Sequence, residues 1–157
     1  MYLFDWSLPL FAPELATELI IPKYFANDFL QRTPETHMYT HSWPSLFIGS
    51  DQAQSDLHVD GFGSNFWMYL FRGEKKWTFF DKKATALLYP GYEYSTDPTF
   101  DVNMNAIDFE RHPLLALVEP SICTLQAGEL LFVPAGCAHH VLNLSTTIAV
   151  CIRGTRV

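Results

Sequence analysis

SDLHVDGFGSNFWMYLFRGEKKW, residues 55–77, places a histidine and an aspartate two apart, crosses a turn broken by Gly61 and Gly63, and returns as a strongly apolar run. Side chains alternate in extended backbone, so His58 and Asp60 are expected on one side of a strand and Leu57 and Val59 on the other. Outward from this stretch the same texture repeats. Short β-rich runs bounded by Gly, Asp, Ser and Pro cover residues 46–50, 54–60, 66–71 and 75–80, then 122–126, 129–133, 139–144 and 147–152. About eight antiparallel strands predict a mainly β fold, a double-stranded β-helix of the jelly-roll kind.

The remaining segments decorate that frame. PELATEL and PKYFANDFL each carry a leading proline followed by good helix formers, which predicts two short helices within residues 13–30, packed outside the sheets. In DKKATALLYP, Asp81 reads as an N-cap and Pro90 as a terminator, predicting a helical turn or two. Residues 91–113 are polar and turn-rich, the pattern of a long functional or mobile loop.

Composition sets the broad class. Of 157 residues, 48% are hydrophobic and 15% aromatic, with 13 Phe, 7 Tyr and 4 Trp, which excludes a disordered chain and fits a wide inter-sheet core. We read residues 1–157 as one domain, and its abrupt strand-like ends as those of a trimmed catalytic core. The formal charge of −7 gives no positive field for nucleic acid. Cys123, Cys137 and Cys151, an odd number far apart, fit free thiols and an intracellular protein in the nucleus or cytoplasm. No apolar run reaches the ~18 residues of a membrane span, so no membrane role is expected.

The chemistry is carried by two stretches together. GELLFVPAGCAHHVLNL, residues 128–144, turns a corner at Pro134 and Gly136 and returns with His139. A jelly roll brings such a late corner against its early strands, so His139 joins His58 and Asp60. Two imidazoles and one carboxylate on one face form a facial triad that leaves positions open on Fe(II). His140 is expected to face outward by alternation.

LHVDGFGSNFWMYLFRGEKKW followed by GELLFVPAGCAHHVLNLSTTIAV, supported by YLFDW, KYFANDF and FERHPLL, resembles the Jumonji-C branch of the iron(II)/2-oxoglutarate dioxygenases. The nearest likeness is to its arginine-demethylase and lysyl-hydroxylase-like members, over nearly the whole chain. The resemblance implies a cupin-like jelly roll, with His58, Asp60 and His139 as iron ligands. It implies that Lys75 pairs with the far carboxylate of 2-oxoglutarate and that Tyr2 reaches the same carboxylate. Ser55 matches a co-substrate hydroxyl, which needs a bulge to bring it round.

Departures accompany the likeness. Met68 stands where several relatives have asparagine, and Cys151 where a threonine hydroxyl usually meets the co-substrate, so hydrogen-bonding capacity is lost at both. Arg153 replaces an asparagine, either as a new carboxylate donor or as a residue closing the chain in solvent. Cys137 replaces an aromatic before the distal histidine, which would put a thiol near iron. Trp67, Trp77, Phe66 and Phe71 read as core, with Trp67 the one expected to wall the site.

The implied activity is hydroxylation of a protein or peptide side chain, Lys or Arg, or demethylation through hydroxylation, and Glu93, Asp97 and Asp101 suit a basic peptide. Three rivals stand beside it: a catalytically silent cupin-like module that binds a partner, an RNA-modifying hydroxylase of the same family, and a zinc or manganese cupin isomerase. Oligomeric state is left open by the sequence.

Overall fold

Alternation in the apolar strands dictates two sheets with a shared interior. A computed structural model describes residues 1–25, 41–93 and 96–154. One sheet contains β1 (Tyr2–Ser7), β2 (Ser45–Gly49), β4 (Asn65–Arg72), β9 (Leu130–Val133) and β11 (Thr147–Gly154), in the order β1-β2-β11-β4-β9. The other contains β3 (Gln54–His58), β5 (Glu74–Phe80), β6 (Pro90–Gly91), β7 (Thr99–Phe100), β8 (Ser121–Gln126) and β10 (Ala138–Asn143), in the order β6-β7-β3-β10-β5-β8. All their pairings are antiparallel, as expected for a jelly roll.

The core lies between the sheets. Phe66, Met68 and Leu70 of β4 meet Trp77, Leu125 and Val141 of the opposite sheet, with Phe47, Ala149 and Cys151 completing the layer. Leu70 is fully buried, and truncating it to alanine would cost about 2–5 kcal/mol. Each sheet is also covered outside. Leu57, Phe80 and Ala138 pack beneath Leu88, Val102 and Leu115, while Leu8 and Ala12 cover Val150.

The first expected helix stands at PELATEL, preceded by a shorter one that the sequence did not signal. A four-residue α1 (Leu8–Phe11) comes first, its end closed by the Ser7 hydroxyl accepting from the Leu10 N–H, and α2 (Pro13–Glu18) follows with proline in its first turn. The second expected helix, within 22–30, is described only as a 3-10 turn at Lys23–Phe25; the rest of that expectation lies outside the described residues. The turn at Lys82–Leu88 is 3-10, capped by Asp81 accepting from the Lys83 N–H. Segment 91–113 is less bare than its polarity predicts. β6 and β7 lie in it or at its start, β7 pairs with β3 at Thr99 opposite His58, and Val102, Met104 and Ile107 join the outer apolar layer.

Gly73 turns the β4–β5 hairpin at φ +86°, where a Cβ would meet the Thr146 carbonyl oxygen at 2.3 Å. Gly73→Ala is expected to lower stability by about 3 kcal/mol or more in urea melts; an unchanged midpoint would show that the hairpin shifts without loss.

Candidate metal centre and its pocket

β3 and β10 run side by side with His58 directly opposite His139, ring centroids 4.3 Å apart. Each imidazole is fixed by the carbonyl two residues before it. Nδ1 of His58 donates to the Asp56 oxygen at 2.6 Å, and Nδ1 of His139 to the Cys137 oxygen at 2.9 Å. A carbonyl only accepts, so Nδ1 carries the proton in both rings and Nε2 keeps its lone pair for a ligand. Burial holds His139 down to about 3, with His58 acting in the same direction, so its ring is neutral at physiological pH.

Asp60 reaches this pair by a route that alternation alone does not describe. β3 ends at His58, and Asp60 follows in extended conformation, immediately before the 3-10 turn Gly61–Gly63. Its Oδ2 lies 3.8 Å from His139 Nε2, and one ligand atom each from His58, Asp60 and His139 fall within 4.8 Å of one another. Asp60 and His139 are buried. Burial pushes the Asp60 carboxyl above its ordinary range, against the opposing pull of Arg153 and His58. A compact N,N,O set with both Nε2 atoms available fits a divalent transition metal.

The same pocket continues inward to a buried cation. Lys75 is 0% exposed; its ammonium donates to Asn143 Oδ1 at 2.8 Å and lies 5.5 Å from the centre of the Tyr2 ring. Among the described residues no carboxylate forms an ion pair with it. Burial lowers its pKa to about 8. An inward-facing ammonium held only by neutral groups is a fit for an anionic ligand end. Ser55 joins the pocket because β3 is bulged: His58 pairs with His139 but Ser55 with Val141, so three residues of β3 span two of β10. Ser55 also hydrogen-bonds Tyr2, whose hydroxyl is raised by burial. Met68 and Cys151 are register partners and both line the pocket, so the two departures sit together. Burial drives the Cys151 thiol well above its ordinary value.

Several expectations are corrected. Trp67 does not wall the site: it faces outward, stacked on Phe25, and Phe66 lines the pocket instead. Phe71 is half exposed rather than core. His140 leaves the side of His139 as alternation predicts but is buried rather than outward in solvent. The Cys137 thiol turns to the Phe80 carbonyl. Arg153 does not close the chain in solvent: its Nη2 lies 3.0 Å from Asp60 Oδ1, a carboxylate of the protein itself. Asn143, opposite Lys75 in register and donating through Nδ2 to the Ser50 carbonyl, was not singled out from the sequence. Its signal was an asparagine inside an apolar strand, where that residue is depleted.

A family model described as a cupin-like domain matches residues 2–152. The chain belongs to the cupin-like domain family. Among its relatives, the lysine-specific demethylase JMJ21 of Arabidopsis thaliana is 30% identical over 163 residues, covering 96% of this chain and 16% of the relative. The human 2-oxoglutarate and iron-dependent oxygenase JMJD4 is 31% identical over 157 residues, 96% of this chain and 35% of the relative. The bifunctional arginine demethylase and lysyl-hydroxylase psr-1 of Caenorhabditis elegans is 27% identical over 160 residues, 96% of this chain and 39% of the relative. The Jumonji-C likeness read from the motifs is borne out by these relatives. This cupin-like chain spans 16% to 39% of their lengths.

The depressed Lys75 pKa sets a pH signature. The unfolded lysine titrates near 10.5 and the folded one near 8, so between those values the unfolded chain holds more protons and stability rises with pH. Relative to Lys75→Met, the unaltered protein is expected to gain about 3 kcal/mol across that window in urea melts. A difference independent of pH would mean that the ammonium is not desolvated.

Proposed function

We propose that this cupin-like chain is the catalytic domain of an Fe(II)- and 2-oxoglutarate-dependent oxygenase that hydroxylates a protein side chain, Lys or Arg, or demethylates it through hydroxylation. What carries the reading is one pocket with two chemically distinct ends: His58, Asp60 and His139 at the outer end, and the unpaired charge of Lys75 at the inner. Names of relatives that include an iron- and 2-oxoglutarate-dependent oxygenase and a lysyl-hydroxylase add support.

Iron with 2-oxoglutarate supplies, when bound, the oxidation of an unactivated C–H bond to C–OH by dioxygen, with succinate and carbon dioxide as the other products. The chain's own part is binding and orientation. Nε2 of His58, Nε2 of His139 and the Asp60 carboxylate would hold the metal. Lys75 would donate to the distal carboxylate of the co-substrate, its ammonium aimed by Asn143, with the hydroxyls of Tyr2 and Ser55 beside it. Phe66, Trp77 and Val141 wall the space between with apolar surface. Met68 and Cys151 contribute no strong donor, which leaves the lysine the dominant anchor.

A basic protein substrate accords with the acidic balance of the chain. Asp97 stands by the Phe62 N–H at the turn after Asp60, and Glu93 is exposed, while Asp101 is engaged by Arg111. The same balance, −7, weighs against an RNA substrate. A second reading, a partner-binding module without turnover, draws on Met68, Cys151 and the engagement of Asp60 by Arg153.

Anaerobic titration with Fe(II) and 2-oxoglutarate is expected to give a metal-to-ligand charge-transfer band, lost in His58→Ala. Absence of the band at millimolar co-substrate would leave the silent module. Lys75→Ala is expected to weaken 2-oxoglutarate at least roughly tenfold while barely changing Fe(II) affinity; equal loss of both would make Lys75 structural. Succinate release across a panel of Lys, Arg and methylated peptides, with an RNA panel beside it, identifies the substrate.

A further inference from the structure

Arg153 makes a contact that the chemistry just described does not require. It lies on β11 opposite Phe66, with its guanidinium over the Trp43 ring, 5.7 Å from the centroid, and Nη2 3.0 Å from Asp60 Oδ1. The other carboxylate oxygen, Oδ2, is the one turned toward His139 Nε2. A single carboxylate is therefore divided between two tasks: one oxygen faces the imidazoles and the other is held by a cation. The pair is well enclosed, the Asp60 side chain 7% and the Arg153 side chain 19% exposed, so solvent screens it little.

A carboxylate with both oxygens free can close on a divalent ion through both and take an additional position from it. We propose that Arg153 is a positioning residue for the metal: by occupying Oδ1 it confines Asp60 to ligation through Oδ2 alone. About half the positions of an octahedral ion then stay open for exogenous ligands. The inference rests on His58, Asp60 and His139 being the metal ligands. The guanidinium charge also opposes the incoming cation, so the arrangement gives up metal affinity to keep coordination positions free. The Trp43 face and the strand position of Arg153 keep the fork in place, and Arg153 lines both the metal pocket and the adjoining groove bordered by Asp5, Ser42 and Phe62.

The test uses Mn(II) alone on the full chain, with affinity read by electron paramagnetic resonance and inner-sphere water by water-proton relaxation. Arg153→Met is expected to bind Mn(II) roughly tenfold more tightly, because the opposing charge is gone. It is also expected to lose roughly a third of the inner-sphere relaxation per bound ion, as Oδ1 replaces one water. Arg153→Leu, which likewise offers no donor to Oδ1, carries the same expectation should the methionine variant not fold. An arginine that merely supports the structure would give weaker binding with unchanged relaxation per ion, and that result overturns the proposal. His58→Ala separates the two failures. Mn(II) binding indifferent to His58→Ala overturns the metal reading and this inference with it; binding that needs His58 but has unchanged relaxation in Arg153→Met overturns the role of Arg153 alone.

Discussion

The pairing of β3 with β10 is the constraint on which the rest of the site depends, because it puts His58 opposite His139 while a bulge carries Ser55 to the same interior. A regular ladder would send Ser55 to the other face from His58, since residues three apart in a strand point oppositely. The extra residue reverses that and leaves the ring nitrogens free to be fixed locally, each by the carbonyl two positions earlier. Imidazole orientation is thus set by short-range hydrogen bonds, and the proximity of the two rings by long-range pairing. The segment after β5 contributes by adding β7 to the free edge of β3, at His58 itself.

Charge is distributed along the pocket with little redundancy. The inner end holds a desolvated ammonium balanced by an amide and an aromatic face, an arrangement that lowers stability of the empty chain and favours an arriving anion. At the outer end a carboxylate is shared between the imidazole side and a guanidinium. Between them Phe66, Trp77 and Val141 are apolar, so each end feels the other through a medium of low polarizability. Met68 and Cys151 extend that apolar stretch, which concentrates recognition of any dicarboxylate on its two termini.

Much of this was legible from residue order. The β periodicity, the turn at Gly61 and Gly63, the corner at Pro134 and Gly136 and the Asp81 cap are local features, each dictated by backbone preferences acting over a few residues. The company of His58, Asp60 and His139 was also readable, because a jelly roll folds its late corner against its early strands, while the place of Lys75 was implied only by the Jumonji-C resemblance. The helix at PELATEL was readable from its leading proline, whereas the four-residue α1 was not, because propensity over so short a span is a weak prior beside docking onto a sheet. β6 and β7, two residues each, carry no periodicity to read; β7 exists through its pairing with β3, and β6 through its pairing with β7.

What the sequence determined by itself is the set of chemical groups and the fold that gathers them, since alternation and turn chemistry act along the chain. Tertiary structure decided which way the outlying groups face: Trp67 outward and Phe66 inward, His140 buried, Asn143 beneath Lys75, and Arg153 on Asp60. The physical reason is that a strand's two faces are distinguishable from its own residues only when one is polar. In the middle of β4 both faces are apolar or aromatic, and in β10 each face carries a histidine, so only contact with the opposite sheet, or with the layer outside, assigns them.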